Sequence, residues 1–170
     1  QNQIMAVAKH FPGIGRTTAD SHRVRPDLDA PRDLLAAFDF IPFTEAIKSE
    51  VAAMMLSHIR YTAIDPVWPA SLSPAIVGNL LRQSMGYDDA VITDDLEMGA
   101  LRQHYDMPAI IDQVLLADVD IALICHRRKD IETAWAHMIR KMTDNAALLE
   151  AGSRSLARIT ALKQRFGLQG

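Results

Sequence analysis

Four short, almost unbroken apolar runs, at residues 4–8, 52–56, 90–93 and 121–125, are separated by stretches of helical spacing, and they constrain the fold of this chain more than any other feature. Near-continuous hydrophobicity, rather than in/out alternation, is what strands covered on both faces show in a parallel α/β sheet. A strand, loop and helix repeated four times is half of an eightfold (β/α) barrel or a small doubly wound sheet. The strand pattern alone does not choose between them.

The helices have readable ends. Ser73-Pro74 supplies an N-cap followed by proline at the first helical position, Ile76, Val77, Leu80 and Leu81 follow at helical spacing, and Gly86 closes the element. A second apolar helix is expected over 108–117, starting after Asp106 and leading into the strand at Ile121. Two more are expected over 127–142 and 144–166, the last amphipathic through Leu148, Leu149, Leu156, Ile159 and Leu162. Two long non-periodic stretches remain, 11–31 and 60–72, and loops of that length are uncommon unless they act.

With 170 residues the chain reads as a single domain, 1–170, able to bury a core. A hydrophobic share of 49% with 23% charged residues is too mixed for disorder, and the net charge of −3 has no basic block, so neither nucleic acid nor a membrane surface is an expected partner. No apolar run approaches the ~20 residues of a membrane span and no secretory signal is evident, which makes a cytoplasmic location the expectation. The single Cys125, inside an apolar run, reads as a small buried thiol. The chain starts at Gln1 and enters an apolar run by Ile4, so a piece of a longer protein is expected.

In parallel α/β architectures chemistry gathers at the carboxyl ends of the strands. The residues there are Lys9 and His10, Ser57 and His58, Asp94 and Asp95, and His126 and Arg127. Adjacent carboxylates on an extended backbone point in opposite directions, so only one of Asp94 and Asp95 can face a substrate. Both could equally cap a helical segment at Leu96. Lys9 and His10 are donors suited to sugar hydroxyls, or simply part of a turn. In Asp20-Ser21-His22 a carboxylate two residues from an imidazole could orient the ring and tune it toward neutrality, although a surface histidine is the commoner case. His104 and His137 are most simply solvated. The histidines lack zinc-site spacing, and neither the dinucleotide nor the Walker pattern is present, so no metal or cofactor is expected.

Three ordered blocks tie these residues together. They are Ala8-Lys-His-Phe-Pro-Gly-Ile-Gly15 with Asp20-Ser-His22; Leu56-Ser-His-Ile-Arg-Tyr61 with Pro69-Ala-Ser-Leu-Ser-Pro74; and Leu80-Leu-Arg82 through Gly86-Tyr87 to Ile92-Thr-Asp-Asp-Leu-Glu-Met98. Over residues 6–125 the chain resembles glycoside hydrolase family 3, in particular its bacterial β-N-acetylglucosaminidase branch. The resemblance implies a (β/α)8 TIM-type barrel, of which this chain is the last four or so β/α units. It also implies Asp94 as nucleophile with Asp95 in support, and His22 as general acid/base oriented by Asp20. Lys9 and His10 match positions that bind sugar hydroxyls, and His58 matches a pocket-lining, substrate-binding position.

The implied activity is that of a retaining glycosidase removing β-N-acetylglucosamine from muropeptide or chitobiose-type substrates. Two departures stand out. Many members carry a second histidine where Ile14 stands, and the family barrel begins about four strands earlier. The missing amino-terminal half is therefore an expected partner. The alternatives are a catalytically silent fragment or homologue, and a β-glucosidase of the same family.

Overall fold

A computed structural model describes residues 4–17, 20 and 25–168. Its centre is a four-stranded, wholly parallel sheet in the order β1 (Val7–Phe11), β3 (Ala53–Leu56), β5 (Ala90–Asp95), β6 (Ile121–Leu123). Parallel neighbours need crossovers, and helices supply them. Between β1 and β3 lie α1 (Arg32–Leu34), a π-helical stretch Leu35–Asp39 and α2 (Ile41–Lys48). Between β3 and β5 lies a π-helical segment, Ala75–Ser84, and between β5 and β6 lie α3 (Gly99–Arg102) and α4 (Met107–Leu116). After β6 come α5 (Arg128–Asp144) and α6 (Ala146–Arg165). Four consecutive β/α units on a parallel sheet are the repeating architecture of a partial TIM-type barrel.

The helix ends follow from the residues that make them. Ser73 Oγ accepts the Ile76 N–H at 3.1 Å, and Gly86, at φ +71°, takes the left-handed conformation that ends the segment. The segment between them is wound as a π-helix rather than the expected α-helix. The apolar pattern cannot tell these apart, because residues four and five apart share a face in the wider turn, and Ile76, Val77, Leu80 and Leu81 are all buried. Asp106 caps α4 by accepting the Ala109 N–H at 2.9 Å, and Asn145 caps α6 through Ala147 and Leu148.

Several expectations need correcting. The first strand is Val7–Phe11 and not residues 4–8, because β3 offers partners only from Ala53, which pairs with Val7, while Ile4 is 76% exposed. Phe11 anchors this strand edge-on against Phe43, with ring centroids 5.2 Å apart. Lys9 and His10 consequently lie within β1. The strand at β6 stops at Leu123, leaving Cys125 exposed beyond its end. The α6 stripe is largely unburied, with Leu149 and Leu156 exposed and Leu162 the only one of the five in the core. His137 is not solvated. Its Nε2 lies 2.8 Å from Asp112, where burial opposes the carboxylate charge but hydrogen bonds from His137 and Lys141 hold its pKa below the ordinary value.

The two long loops are also linked to each other. Inside them lie two-residue strands, β2 (Asp27–Leu28) and β4 (Arg60–Tyr61), paired in parallel, with the Arg60 guanidinium bound to both Asp27 oxygens. Two residues carry no readable period, and the sequence gives no sign of them. Asp65 closes the second loop, accepting the N–H groups of Val67 and Trp68 at 2.9 Å and the Ser73 hydroxyl at 2.6 Å.

At the opposite end of the sheet, Asp120 sits just before β6 with its side chain 0% exposed. One oxygen accepts from Arg82 and the Val91 N–H, both at 2.8 Å, and the other from Arg158 of α6 at 2.9 Å. Removing the carboxylate charge leaves two largely buried guanidinium groups undercompensated, a loss of about 3–5 kcal/mol for a broken buried pair. Asp120→Asn should therefore lower stability by about that amount in urea unfolding at neutral pH.

Candidate active site

The ladder register sets the site. Met54 pairs with Val91 and Met55 with Ile92, so continuing the count brings Ser57 level with Asp94 and His58 level with Asp95. Alternation along β5 sends Val91 and Thr93 to one face, where both are buried, and Ile92 and Asp94 to the other. Thr93 is polar for a reason: its Oγ1 accepts the Leu123 N–H at 2.9 Å where the β5–β6 register is broken.

Asp94 keeps 26% of its side chain exposed. One oxygen accepts the Asp95 N–H at 2.8 Å, and the other lies 3.5 Å from Nε2 of His10. Asp95 points elsewhere, with Oδ1 accepting the Glu97 N–H at 3.1 Å and Oδ2 3.2 Å from Nε2 of His126. Neither carboxylate caps a helix, since α3 begins only at Gly99 and is preceded by Met98. The helix-capping alternative is thereby removed for both. Glu97, whose side chain is only 3% exposed, braces the next loop by accepting the N–H groups of His126 and Arg127 at 2.5 and 2.9 Å. A carboxylate at that point also suits the amino end of α5.

His58 is 1% exposed. Its Nε2 lies 2.9 Å from the Asp95 carbonyl oxygen and its Nδ1 2.7 Å from Ser71 Oγ. A carbonyl only accepts, so Nε2 carries the proton. Burial pushes the ring's pKa below the ordinary histidine value, outweighing the Asp95 carbonyl and the nearby carboxylates, so Nδ1 is bare and accepts the Ser71 hydroxyl. Both ring nitrogens of His58, expected at a pocket-lining, substrate-binding position, are engaged within the protein.

Of the other expected residues, Lys9 stands exposed on β1 beside His10, and Asp20 is exposed. His22 lies outside the described residues. Ile14, at the position where a second histidine is frequent, is exposed. The structure thus gathers His10, Asp94, Asp95 and His58 at one end of the sheet. It adds partners that the sequence reading left without a role, His126 and Glu97 on one side and Tyr61 on the other. The Tyr61 hydroxyl donates to the Gly13 carbonyl at 2.5 Å, so the Ser57 hydroxyl, 3.3 Å away, donates to Tyr61. Burial raises the Tyr61 pKa and keeps that proton in place. The available signal was the cluster Ser57, His58 and Tyr61 directly after a buried strand.

The depressed pKa of His58 predicts a pH effect with a definite sign. The unfolded chain binds the proton more readily, so this contribution is fully present above the unfolded value, about 6.5. It is lost progressively as pH falls below that value. The urea midpoint should therefore drop between pH 7 and pH 5, and His58→Gln should flatten that dependence.

Comparison with known proteins gives the family. The sequence profile described as "Glycosyl hydrolase family 3 N terminal domain" matches residues 1–165. Beta-hexosaminidase A of Pseudoalteromonas piscicida is 33% identical, over 96% of this chain and 30% of that protein. The beta-hexosaminidase of Pasteurella multocida is 32% identical, over 95% of this chain and 44% of its own length. Among solved structures, a glycoside hydrolase family 3 beta-N-acetylglucosaminidase from Paenibacillus sp. str. FPU-7 superimposes with a TM-score of 0.93 at 34% identity, covering 99% of this chain and 32% of that one. The chain therefore spans less than half the length of these relatives, and it belongs to glycoside hydrolase family 3, as part of that family's TIM-barrel-type N-terminal domain.

Proposed function

We propose that the protein is a retaining β-N-acetylhexosaminidase with Asp94 as its nucleophile. The observation that carries this reading is the placement of Asp94 at the carboxyl end of a central parallel strand, partly exposed, with one oxygen held by the Asp95 N–H and the other facing His10. Among the curated relatives, proteins named beta-hexosaminidase favour an amino-sugar glycoside over a glucoside as substrate.

In the proposed reaction the Asp94 carboxylate attacks the anomeric carbon while His22, oriented by Asp20, protonates the leaving oxygen. A glycosyl ester forms on Asp94. His22 then takes a proton from water, which attacks the anomeric carbon on the same face as the departed aglycone and releases the sugar with its configuration retained. Lys9 and His10 serve sugar hydroxyls. Neutral or weakly charged saccharides fit the chain's charge of −3, with muropeptide or chitobiose-type glycosides as the natural class and the cytoplasm as the compartment. No metal is needed at any step.

A second reading is favoured by the sheet itself. Among the described residues β1 and β6 each pair on one side only, so these four strands do not close a barrel. On this reading the segment is silent until another set of strands completes the site.

Incubation with a fluorinated, activated aminosugar and mass mapping should place the adduct on Asp94; a label on another residue removes the assignment. Asp94→Asn should lower turnover of an aryl N-acetylglucosaminide by on the order of 10⁴-fold. An aryl glucoside should be the poorer substrate. Hydrolysis by the 170-residue chain alone, lost in Asp94→Asn, would eliminate the second reading.

A further inference from the structure

We infer that His58 is a positioning residue for the nucleophile, holding through the Asp95 carbonyl the backbone from which the Asp94 carboxylate is presented. This rests on Asp94 acting as proposed above.

Backbone pairing between β3 and β5 ends at Met55 and Ile92. Three residues farther along β5 the Asp95 carbonyl accepts from the His58 ring at 2.9 Å, beside the Met98 N–H of the following turn at 3.1 Å. On the far side of β5 the register is broken between Ile92 and Asp95. The end of β5 that bears Asp94 therefore has no β3 ladder beside it and pairs with β6 again only at Asp95, which is the residue that is gripped. Its C=O accepts from His58 and its N–H donates to Asp94 Oδ1 at 2.8 Å. A rotation of Asp95 that breaks the first bond carries the second with it, and the Asp94 carboxylate turns relative to His10.

The ring is itself fixed. Ser71 is fully buried, its hydroxyl donates to Nδ1 at 2.7 Å, and its own N–H donates to the Ser57 carbonyl at 3.0 Å. Loop 60–72 thus returns to clamp the imidazole from behind. A buried imidazole with both nitrogens satisfied has one orientation, which suits a group whose task is to hold another in place. His58 makes no contact with substrate in this role.

The test uses the full-length protein and an aryl β-N-acetylglucosaminide. His58→Gln retains an N–H donor for the Asp95 carbonyl, whereas His58→Leu retains bulk without the donor. His58→Leu should lower kcat by on the order of 10²-fold, the scale of a 1 Å misplacement, with KM little changed. His58→Gln should recover most of that loss. Ser71→Ala, which frees the ring without removing it, should lower kcat in the same direction by less, and covers the case in which His58→Leu does not fold. Nitrogen resonances of His58 should show Nε2 protonated and Nδ1 bare. A folded His58→Leu with wild-type kcat overturns the inference, and so do equal losses in the Leu and Gln variants, which would mark a merely structural role. Asp94→Asn separates the two levels. If it retains turnover the nucleophile reading fails, whereas its inactivity beside a fully active His58→Leu removes only the positioning role.

Discussion

The parallel register between β3 and β5 is the constraint on which the site depends. With Ala53 opposite Ala90 and Met55 opposite Ile92, every residue past the strand ends has a fixed neighbour. His58 comes level with Asp95, and the imidazole reaches a carbonyl that no backbone donor of β3 serves. A slip of one residue would send Asp94 to the face of Val91 and Thr93, into the buried layer beneath the helices. The small apolar residues Ala53 and Ala90 at the strand starts pack with Leu162 of α6 on the same face as Asp94. That face is therefore covered at one end by a helix and left open at the other for the carboxylate.

The division between two adjacent carboxylates follows from the same period of two. Asp94 and Asp95 could not both serve a substrate, and the structure gives each a different environment. Asp94 faces His10 and partial solvent, while Asp95 spends one oxygen on the Glu97 N–H and turns the other to His126. Asp95 is thus a support in a literal sense. Its side chain shapes the turn toward β6 and its backbone links Asp94 to His58.

Much of this was legible in the sequence, and the failures have physical causes. Buried parallel strands announce themselves as apolar runs, so three of four strands were placed to within two residues. The first differs because a run of apolar residues shows what can be buried, not where a partner strand begins; Ile4 and Met5 precede Val7, the residue opposite the first residue of β3. Cys125 is exposed for a related reason, since an apolar run does not show where its strand ends, and β6 stops at Leu123. The Asp94 position could be read because it ends an apolar run. The partners of His58 could not, because Ser71 lies 13 residues away and only the closure of a loop organised by Asp65 brings it onto the ring.

Some of the exposed apolar residues lie beside the sheet edge at β6. All three residues of β6 are only half-buried although apolar, while the inner strands β3 and β5 are mostly buried. Ile131 and Trp135 stand exposed on α5, the helix that follows β6, and line the same surface hollow as Ala122 and Ile124. An edge strand of this composition is unfavourable in water and is normally paired or covered. The face that carries Asp94 is continuous with that edge through Asp95 and His126. A strand added at β6 would therefore lie beside the Asp95–His126 pair as well as the apolar edge.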